Sequence, residues 1–129
     1  MKRIAVSIRN RVFSESILMI FRQTGDFRPV RIPDQQPRAI LIECQAVKPD
    51  ILLMDVTPTP PETTLTTRLK LIEEMRRELP GCKIALLCDE TAYPELAREV
   101  MRAKQAGLID AFFYASVTAE YLTAALDSI

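Results

Sequence analysis

The stretch AVKPDILLMDV (residues 46–56) gives the clearest indication of the fold. Its apolar run, residues 51–54, follows a Lys-Pro-Asp loop and ends at Asp55. A short continuous apolar run bounded by turn residues is typical of a strand buried on both faces, as in a parallel sheet. A carboxylate at the end of such a strand is costly to bury unless it faces a crevice. Asp55 is therefore either a functional group or a strand-end residue that accepts hydrogen bonds from the next loop.

Strands of this kind alternate with amphipathic helices along the rest of the chain. The other predicted strands are residues 4–8, 27–32, 84–87 and 111–114. Apolar residues at helical spacing predict helices that begin near Val12, Pro37, Leu65, Pro94 and Thr118. Pro29 favours an edge position for the second strand, and Gly25 is predicted to end the first helix. The proline-rich segment 57–61 is predicted to be neither helix nor central strand.

Five strand–helix units in succession predict an α/β fold. The expected architecture is a doubly wound, five-stranded parallel sheet between two layers of helices, with right-handed crossovers. Five units are too few for an eight-stranded barrel. Open sheets of this kind place their working site outside the carboxyl ends of the strands, at the point where the strand order reverses. The residues expected there are 8–10, 55–57, 88–89 and 115–116.

Composition limits the function classes. The chain has 129 residues, which fits a single domain spanning residues 1–129. Lys plus Arg and Asp plus Glu both number 17, so there is no basic excess of the kind that nucleic-acid-coating proteins show. The absence of His disfavours zinc chemistry and His-dependent catalytic triads. No transmembrane helix or signal peptide is predicted, and three scattered Cys indicate reduced thiols in the cytoplasm.

Two polar features are interpreted as structural. The threonines at positions 63, 64, 66 and 67 have no glycine beside them, so they are predicted to cap the third helix and not to hold a phosphate. Cys88 follows a buried strand and has no His to activate it. We expect Cys88 to be a small buried apolar residue.

Three stretches resemble response-regulator receiver domains of two-component signalling. AVKPDILLMDV (residues 46–56) is similar to the stretch that ends in the family's phosphoacceptor aspartate. NRVFSESI (residues 10–17) is similar to the opening of the first helix in receivers that carry a C-terminal helix-turn-helix output domain. AGLIDAFFYASVTAEYL (residues 106–122) is similar to the family's fifth strand and last helix. The three stretches occur in the family's order, and the resemblance to the family extends over essentially the whole chain.

The resemblance implies a flavodoxin-like (βα)5 fold and a role in signal transduction. It implies Asp55 as the phosphoacceptor position, a histidine kinase or other signalling protein as partner, and Phe112 as the family's switch aromatic. It also implies a homodimer through the fourth helix, fifth strand and fifth helix. Such a chain is an interaction domain and not an enzyme. It is either a stand-alone receiver or the front part of a longer transcriptional regulator, in which only the output domain contacts DNA.

The chain departs from the family around Asp55. The two adjacent acids that help to hold Mg²⁺ in the family are replaced by Ile8 and Arg9. Mg²⁺ requires several oxygen ligands, so Asp55 beside an arginine is a poor site and no cofactor is expected. We predict that Asp55 is phosphorylated slowly or not at all. The Arg9 guanidinium either pairs with Asp55 in place of the metal or points into solvent.

Three further pocket positions also differ from the family. Its hydroxyl residue after the fourth strand falls on Cys88, its lysine after the fifth strand on Ala115, and the following proline on Ser116. Ala115 removes the ammonium group that would neutralise a phosphoryl group. Cys88 supplies only a weak hydrogen-bond donor. Both losses strengthen the prediction of slow or absent phosphorylation.

Two other functions are weighed. A flavodoxin-like module that binds a flavin needs a phosphate loop rich in Ser, Thr and Gly after the first strand. The actual segment, SIRNRVF (residues 7–13), has no glycine. A hydrolase with Asp55 as nucleophile would need accompanying acids that are missing here, so it ranks below the flavin binder.

Overall fold

All five predicted strands form, and they make one parallel sheet in a computed structural model that describes all 129 residues. The strands are β1 (Lys2–Ser7), β2 (Phe27–Arg31), β3 (Ile51–Asp55), β4 (Lys83–Cys88) and β5 (Ala111–Tyr114). The helices are α1 (Arg11–Thr24), α2 (Pro37–Val47), α3 (Leu65–Glu78), α4 (Pro94–Gln105) and α5 (Ala119–Ser128). The predicted α/β architecture is confirmed.

The strand order is β2-β1-β3-β4-β5, so the winding direction reverses between β1 and β3. All neighbouring strands run parallel, and their carboxyl ends therefore meet at one edge of the sheet. This edge carries the residues that follow β1, β3, β4 and β5. The candidate site lies there, as the sequence predicts.

Side chains of alternate strand residues build two separate cores. On β3, Leu52 and Met54 point into the core that α2, α3 and α4 cover. Ile51 and Leu53 point into the opposite core, under α1 and α5. A strand buried on both faces explains why residues 51–54 are uniformly apolar. The sheet is thus the middle of three layers.

Helix ends are fixed by the capping residues that the sequence suggests. The Asn10 side chain accepts a hydrogen bond from Phe13 N–H at 2.9 Å at the start of α1. Gly25 ends α1 in the left-handed conformation, with φ of 76°. Thr64 and Thr118 cap α3 and α5. The predicted capping role of the threonine segment is therefore confirmed at Thr64.

The edge position of β2 follows from Pro29. Ile32 N–H donates to Val6 O of β1, and alternate residues of a strand turn the same way. Pro29 therefore faces away from β1, where its missing N–H costs the sheet no hydrogen bond. The same proline leaves one donor fewer on the open edge, which discourages pairing with another chain.

Strand boundaries differ slightly from the prediction, and one short helix is added. β1 begins at Lys2 and ends at Ser7, so Ile8 lies just beyond the strand although it is buried. Charged Lys2 and Arg3 extend the strand because their backbones pair with β2. A 3-10 helix, Pro61–Thr63, includes the last residue of segment 57–61, for which the sequence predicts no helix, because proline is tolerated at the first position of a helix. None of the helices is both long enough and apolar enough to cross a membrane.

Candidate functional site

A cavity of about 400 Å³ opens at the carboxyl ends of the strands, above the reversal between β1 and β3. Its lining is mixed, with apolar side chains around a few polar ones. The lining residues are Ile8, Asn10, Phe13, Asp55, Val56, Thr57, Leu87, Asp89, Tyr93 and Ala115. No Lys or Arg side chain is among them. This is the position where open α/β sheets place their sites.

Asp55 is the last residue of β3, and only 8% of its surface is exposed. Both carboxylate oxygens accept a hydrogen bond from the protein. Oδ1 accepts from Arg68 Nη2 at 3.0 Å, and Oδ2 accepts from the backbone N–H of Arg9 at 3.2 Å. The carboxylate is therefore already paired with a protein cation.

Arg68 lies on α3, and only 1% of its surface is exposed. Its Nε donates to the backbone oxygen of Asp55 at 2.9 Å, while its Nη2 binds the carboxylate of the same residue. These two hydrogen bonds use the planar guanidinium group, whose several N–H donors lysine lacks. Nη2 also donates to Gln35 Oε1 at 3.0 Å. Nη1 is buried without a hydrogen-bond partner.

The helical repeat of α3 places Arg68 in the interior. Leu71, Ile72 and Met75 lie three, four and seven residues further on, and all are buried against the sheet. These spacings put Arg68 on the same helix face. Thr64 starts the helix one turn earlier, so the arginine reaches the end of β3. The site is built by an arginine that occupies a core position.

Burial governs the ionisation of the pair. Burial raises the pKa of the Asp55 carboxyl, and the Arg68 charge and the hydrogen bonds from Arg9 and Arg68 oppose that rise. Burial likewise lowers the pKa of the Arg68 guanidinium, and Asp55 opposes that change. Each group is thus desolvated and depends on the other as its counter-ion.

On the β2 side, the pair continues into a polar network. Gln35, in the loop between β2 and α2, accepts from Arg68 Nη2 and from Ser7 Oγ, the latter at 3.1 Å. Its Nε2 donates to Pro33 O at 3.3 Å, which turns Oε1 toward the arginine. The β2–α2 loop therefore reaches the Asp55–Arg68 pair directly.

On the β4 and β5 side, no side chain donates to Asp55. Cys88 is fully buried, and burial, followed by the charges of Asp89, Glu90 and Asp55, raises its pKa to about 11. The thiol is therefore neutral near pH 7, in accordance with the apolar role expected for it. Ala115 lines the cavity with a methyl group.

The remaining predicted residues lie outside the cavity. Ser116 is exposed, and its Oγ donates to Glu90 Oε2 at 2.6 Å, which joins the β4–α4 loop to the β5–α5 loop. Phe112 is half-buried on β5 and packs edge-to-face on Tyr114, with ring centroids 5.0 Å apart. Neither residue contacts Asp55.

The hypothesis of an Arg9–Asp55 ion pair is corrected by the structure. Arg9 contributes its backbone N–H, whereas its side chain is exposed and forms no ion pair with Asp55. Arg9 lies in the exposed loop after β1, so its guanidinium stays hydrated and does not need Asp55 as a counter-ion. The guanidinium that meets Asp55 belongs to Arg68. The signal in the sequence is an arginine on the apolar stripe of the third helix.

The side chains around Asp55 offer few ligands for a metal ion. No group of three or more Asp, Glu, His or Cys side chains lies close enough to hold a metal ion. The buried Ile8 side chain stands where the family has an acid, and the Arg68 guanidinium occupies one oxygen of Asp55.

Comparison with known proteins establishes the fold. The sequence matches no known protein-family model and no curated protein. Solved structures match it over almost its whole length. A LuxR-family DNA-binding response regulator from Staphylococcus aureus is 15% identical, with a TM-score of 0.72 and coverage of 99% of this chain and 98% of that one.

Two further solved structures of response regulators match the chain over a similar length. The response regulator TrrA from Thermotoga maritima, solved in complex with Mg²⁺-BeF, is 18% identical with a TM-score of 0.75, covering 99% of this chain and 98% of that one. The receiver domain of NarL from Mycobacterium tuberculosis is 21% identical with a TM-score of 0.71, covering 98% and 94%. The chain thus has the fold of response-regulator receiver domains, as its sequence resemblance predicts.

Proposed function

We propose that this chain is a receiver-type signalling module that works through partner binding and not through phosphorylation of Asp55. The observation that carries the proposal is the buried ion pair between Arg68 Nη2 and Asp55 Oδ1, at 3.0 Å. The receiver fold supports the signalling role. The buried Arg68 guanidinium supports a site in which the charge of Asp55 is permanently neutralised by the protein itself.

Phosphoryl transfer to a carboxylate requires cations that neutralise the incoming negative charge and align the donor. In this chain Ile8 and Arg9 stand in place of the two acids that hold Mg²⁺ in the family, and no group of three metal-binding side chains surrounds Asp55, which supports the proposal. The family's lysine is replaced by Ala115. Arg68 supplies one positive charge, but Asp55 itself already uses it. We therefore propose that the module needs no metal and no other cofactor.

An exposed apolar surface on the β5 side supports a protein partner. Met101 of α4, Tyr114 of β5 and Tyr121 of α5 are all exposed, and Tyr121 is 64% exposed. They surround a shallow cavity of about 340 Å³. Aromatic residues and methionine are enriched at protein interfaces. We propose that this face, defined by α4, β5 and α5, forms a homodimer.

Other assignments extend the same proposal. The partner that delivers the signal is a histidine kinase or another signalling protein in the cytoplasm, and control of transcription requires an output domain that contacts the DNA. The module has no catalytic activity of its own, because no activated nucleophile lies in the cavity. The flavin alternative lacks support, since Ile8, Arg9 and Asn10 offer no glycine for a phosphate loop.

The test is phosphorylation of the purified chain. The chain is incubated with Mg²⁺ and acetyl phosphate, and its intact mass is measured. A receiver with both acids and the lysine serves as the positive control. We expect no stoichiometric adduct on this chain. A stoichiometric adduct that is absent from Asp55→Asn would refute the proposal.

A further inference from the structure

We propose that Gln35 is a positioning residue that couples the β2–α2 loop to the Asp55–Arg68 pair, so that a partner alters the site through this loop. The inference rests on the proposed function, because it names how that site is regulated. It assigns the control segment to the β2 side of the sheet and not to the β4 and β5 loops.

The first step of the argument is the hydrogen bonding of the guanidinium. Arg68 Nη2 has two protons, and its two short contacts are Asp55 Oδ1 and Gln35 Oε1, both at 3.0 Å. The Ser7 carbonyl oxygen is a longer contact, at 3.5 Å. Gln35 therefore supplies the second of the two good acceptors that fix the rotation of this nitrogen.

The second step concerns the orientation of the Gln35 amide. Its Nε2 donates to Pro33 O, and its Oε1 accepts from Ser7 Oγ as well as from Arg68. The amide group therefore connects the loop, the end of β1 and α3. A displacement of the loop would withdraw Oε1 and leave a buried N–H of Arg68 without an acceptor, which is costly.

The third step concerns the conformation of the loop itself. Asp34 Oδ1 accepts from the backbone N–H of Gln36 at 2.9 Å, and Gln36 Nε2 donates to Glu62 Oε1 at 3.1 Å. The loop is thus tied to the 3-10 helix before α3 while its outer residues remain exposed. A displacement of these outer residues would therefore be transmitted to Gln35.

The β4 and β5 side offers no comparable connection. Ser116 and Glu90 bond to each other and not to Asp55. Ala115 has no polar side-chain atom, and Cys88 makes no hydrogen bond to Asp55. The side-chain hydrogen bonds of the pair therefore lead to the end of β1 and to the β2–α2 loop, and none leads to the β4 or β5 loops.

The first experiment measures how firmly Arg68 is held. Hydrogen exchange of the Arg68 Nε–H is followed by NMR in the intact chain, and the signal is assigned by its loss in Arg68→Lys. Gln35→Leu removes the acceptor, and Gln35→Asn shortens the side chain while keeping the amide. We expect each to speed exchange about tenfold, since each removes one hydrogen bond to a charged group.

Two variants serve as controls. Gln35→Glu keeps an acceptor oxygen and should retain slow exchange. Gln45→Leu changes an exposed amide on α2 that makes no hydrogen bond to Arg68 or to the β2–α2 loop, and should leave the rate unchanged. If Gln35→Leu and Gln35→Asn both exchange at the wild-type rate, Gln35 does not position the arginine and the inference is overturned.

The second experiment tests the direction of coupling. Asp34→Ala removes the side-chain cap of the β2–α2 loop, and Ser116→Ala breaks the bond between the β4–α4 and β5–α5 loops. We expect Asp34→Ala to shift the Arg68 Nε–H resonance and Ser116→Ala to leave it in place. A shift in Ser116→Ala as large as that in Asp34→Ala would overturn the assignment to the β2 side.

These results are independent of the phosphorylation assay. A phosphoryl adduct on the wild-type chain would refute the proposed function even if hydrogen exchange of Arg68 depends on Gln35. Unchanged Arg68 exchange in the Gln35 variants would remove the inference even if no adduct forms.

Discussion

Arg68 Nη2 lies 3.0 Å from Asp55 Oδ1, and Arg68 Nε lies 2.9 Å from the backbone oxygen of the same residue. The arginine thus holds both the side chain and the backbone at the end of β3. Its guanidinium is buried and does not line the cavity, so it meets the carboxylate from the side of Ser7 and Gln35.

Loss of the arginine is predicted to be strongly destabilising. Arg68→Met leaves the Asp55 carboxylate buried without its counter-ion, which typically costs about 3 to 5 kcal/mol of unfolding free energy. Urea unfolding followed by circular dichroism measures the change. Arg76→Met is the matched control on the same helix. Arg76 pairs with Asp110 at a partly exposed site, so its loss should cost about 1 kcal/mol or less. Equal losses in the two variants would argue against a special role for Arg68.

Removing both charges should recover most of the unfolding free energy that Arg68→Met loses. Asp55→Leu combined with Arg68→Met replaces the ion pair with apolar side chains, and such replacements are often neutral or stabilising. We expect the double variant to lie within about 1 kcal/mol of wild type in the same unfolding assay. The single variants complete a double-mutant cycle. Additive losses, with no recovery in the double variant, would show that the two residues are not coupled.

Buried thiols predict a loss of stability at alkaline pH. Burial raises the pKa of Cys88 to about 11 from an ordinary value of 9.0. Because the folded-state pKa is the higher one, the stability contributed by the neutral thiol is complete below pH 9 and is lost as pH rises through 11. The unfolding free energy of wild type minus that of Cys88→Ala should therefore fall between these pH values. A difference that stays constant would contradict a buried, neutral thiol.

The proposed dimer face can be tested by a charge. Tyr121→Glu places a carboxylate on the exposed surface of α4, β5 and α5, where it would be desolvated in a dimer. We expect the dimerisation constant from analytical ultracentrifugation to weaken at least about tenfold. Val12→Glu is the control, because Val12 is 78% exposed but lies on α1. If Val12→Glu dissociates the dimer and Tyr121→Glu does not, the interface lies elsewhere.

The fold could be predicted from the sequence because each element carries a local signal. The apolar run 51–54 specifies a strand buried on both faces, Pro29 specifies an edge, and Gly25 and Thr118 mark helix ends. These signals depend on residues close in sequence. The start of β1 could not be predicted, because Lys2 and Arg3 join the strand through backbone pairing that their side chains do not indicate.

The site was only partly predictable. The sequence places Asp55 at the carboxyl end of β3, where the site is expected. Its ion-pair partner, Arg68, is 13 residues further along the chain. Arg9 follows β1 directly, but its guanidinium is exposed and can be hydrated by solvent. The Arg68 guanidinium is shielded from solvent, because the helical repeat places Arg68 on the same buried face as Leu71, Ile72 and Met75. An arginine on an apolar stripe is the pattern that indicates a buried counter-ion.

The central claim is tested most directly by titrating the chain with beryllofluoride and Mg²⁺ and recording ¹⁹F NMR spectra. Beryllofluoride mimics a phosphoryl group on a carboxylate and needs the same cation. With Arg68 paired to Asp55, we expect no bound fluorine signal at any Mg²⁺ concentration at which a receiver with both acids and the lysine is saturated. A saturable bound signal that disappears in Asp55→Asn would contradict the account.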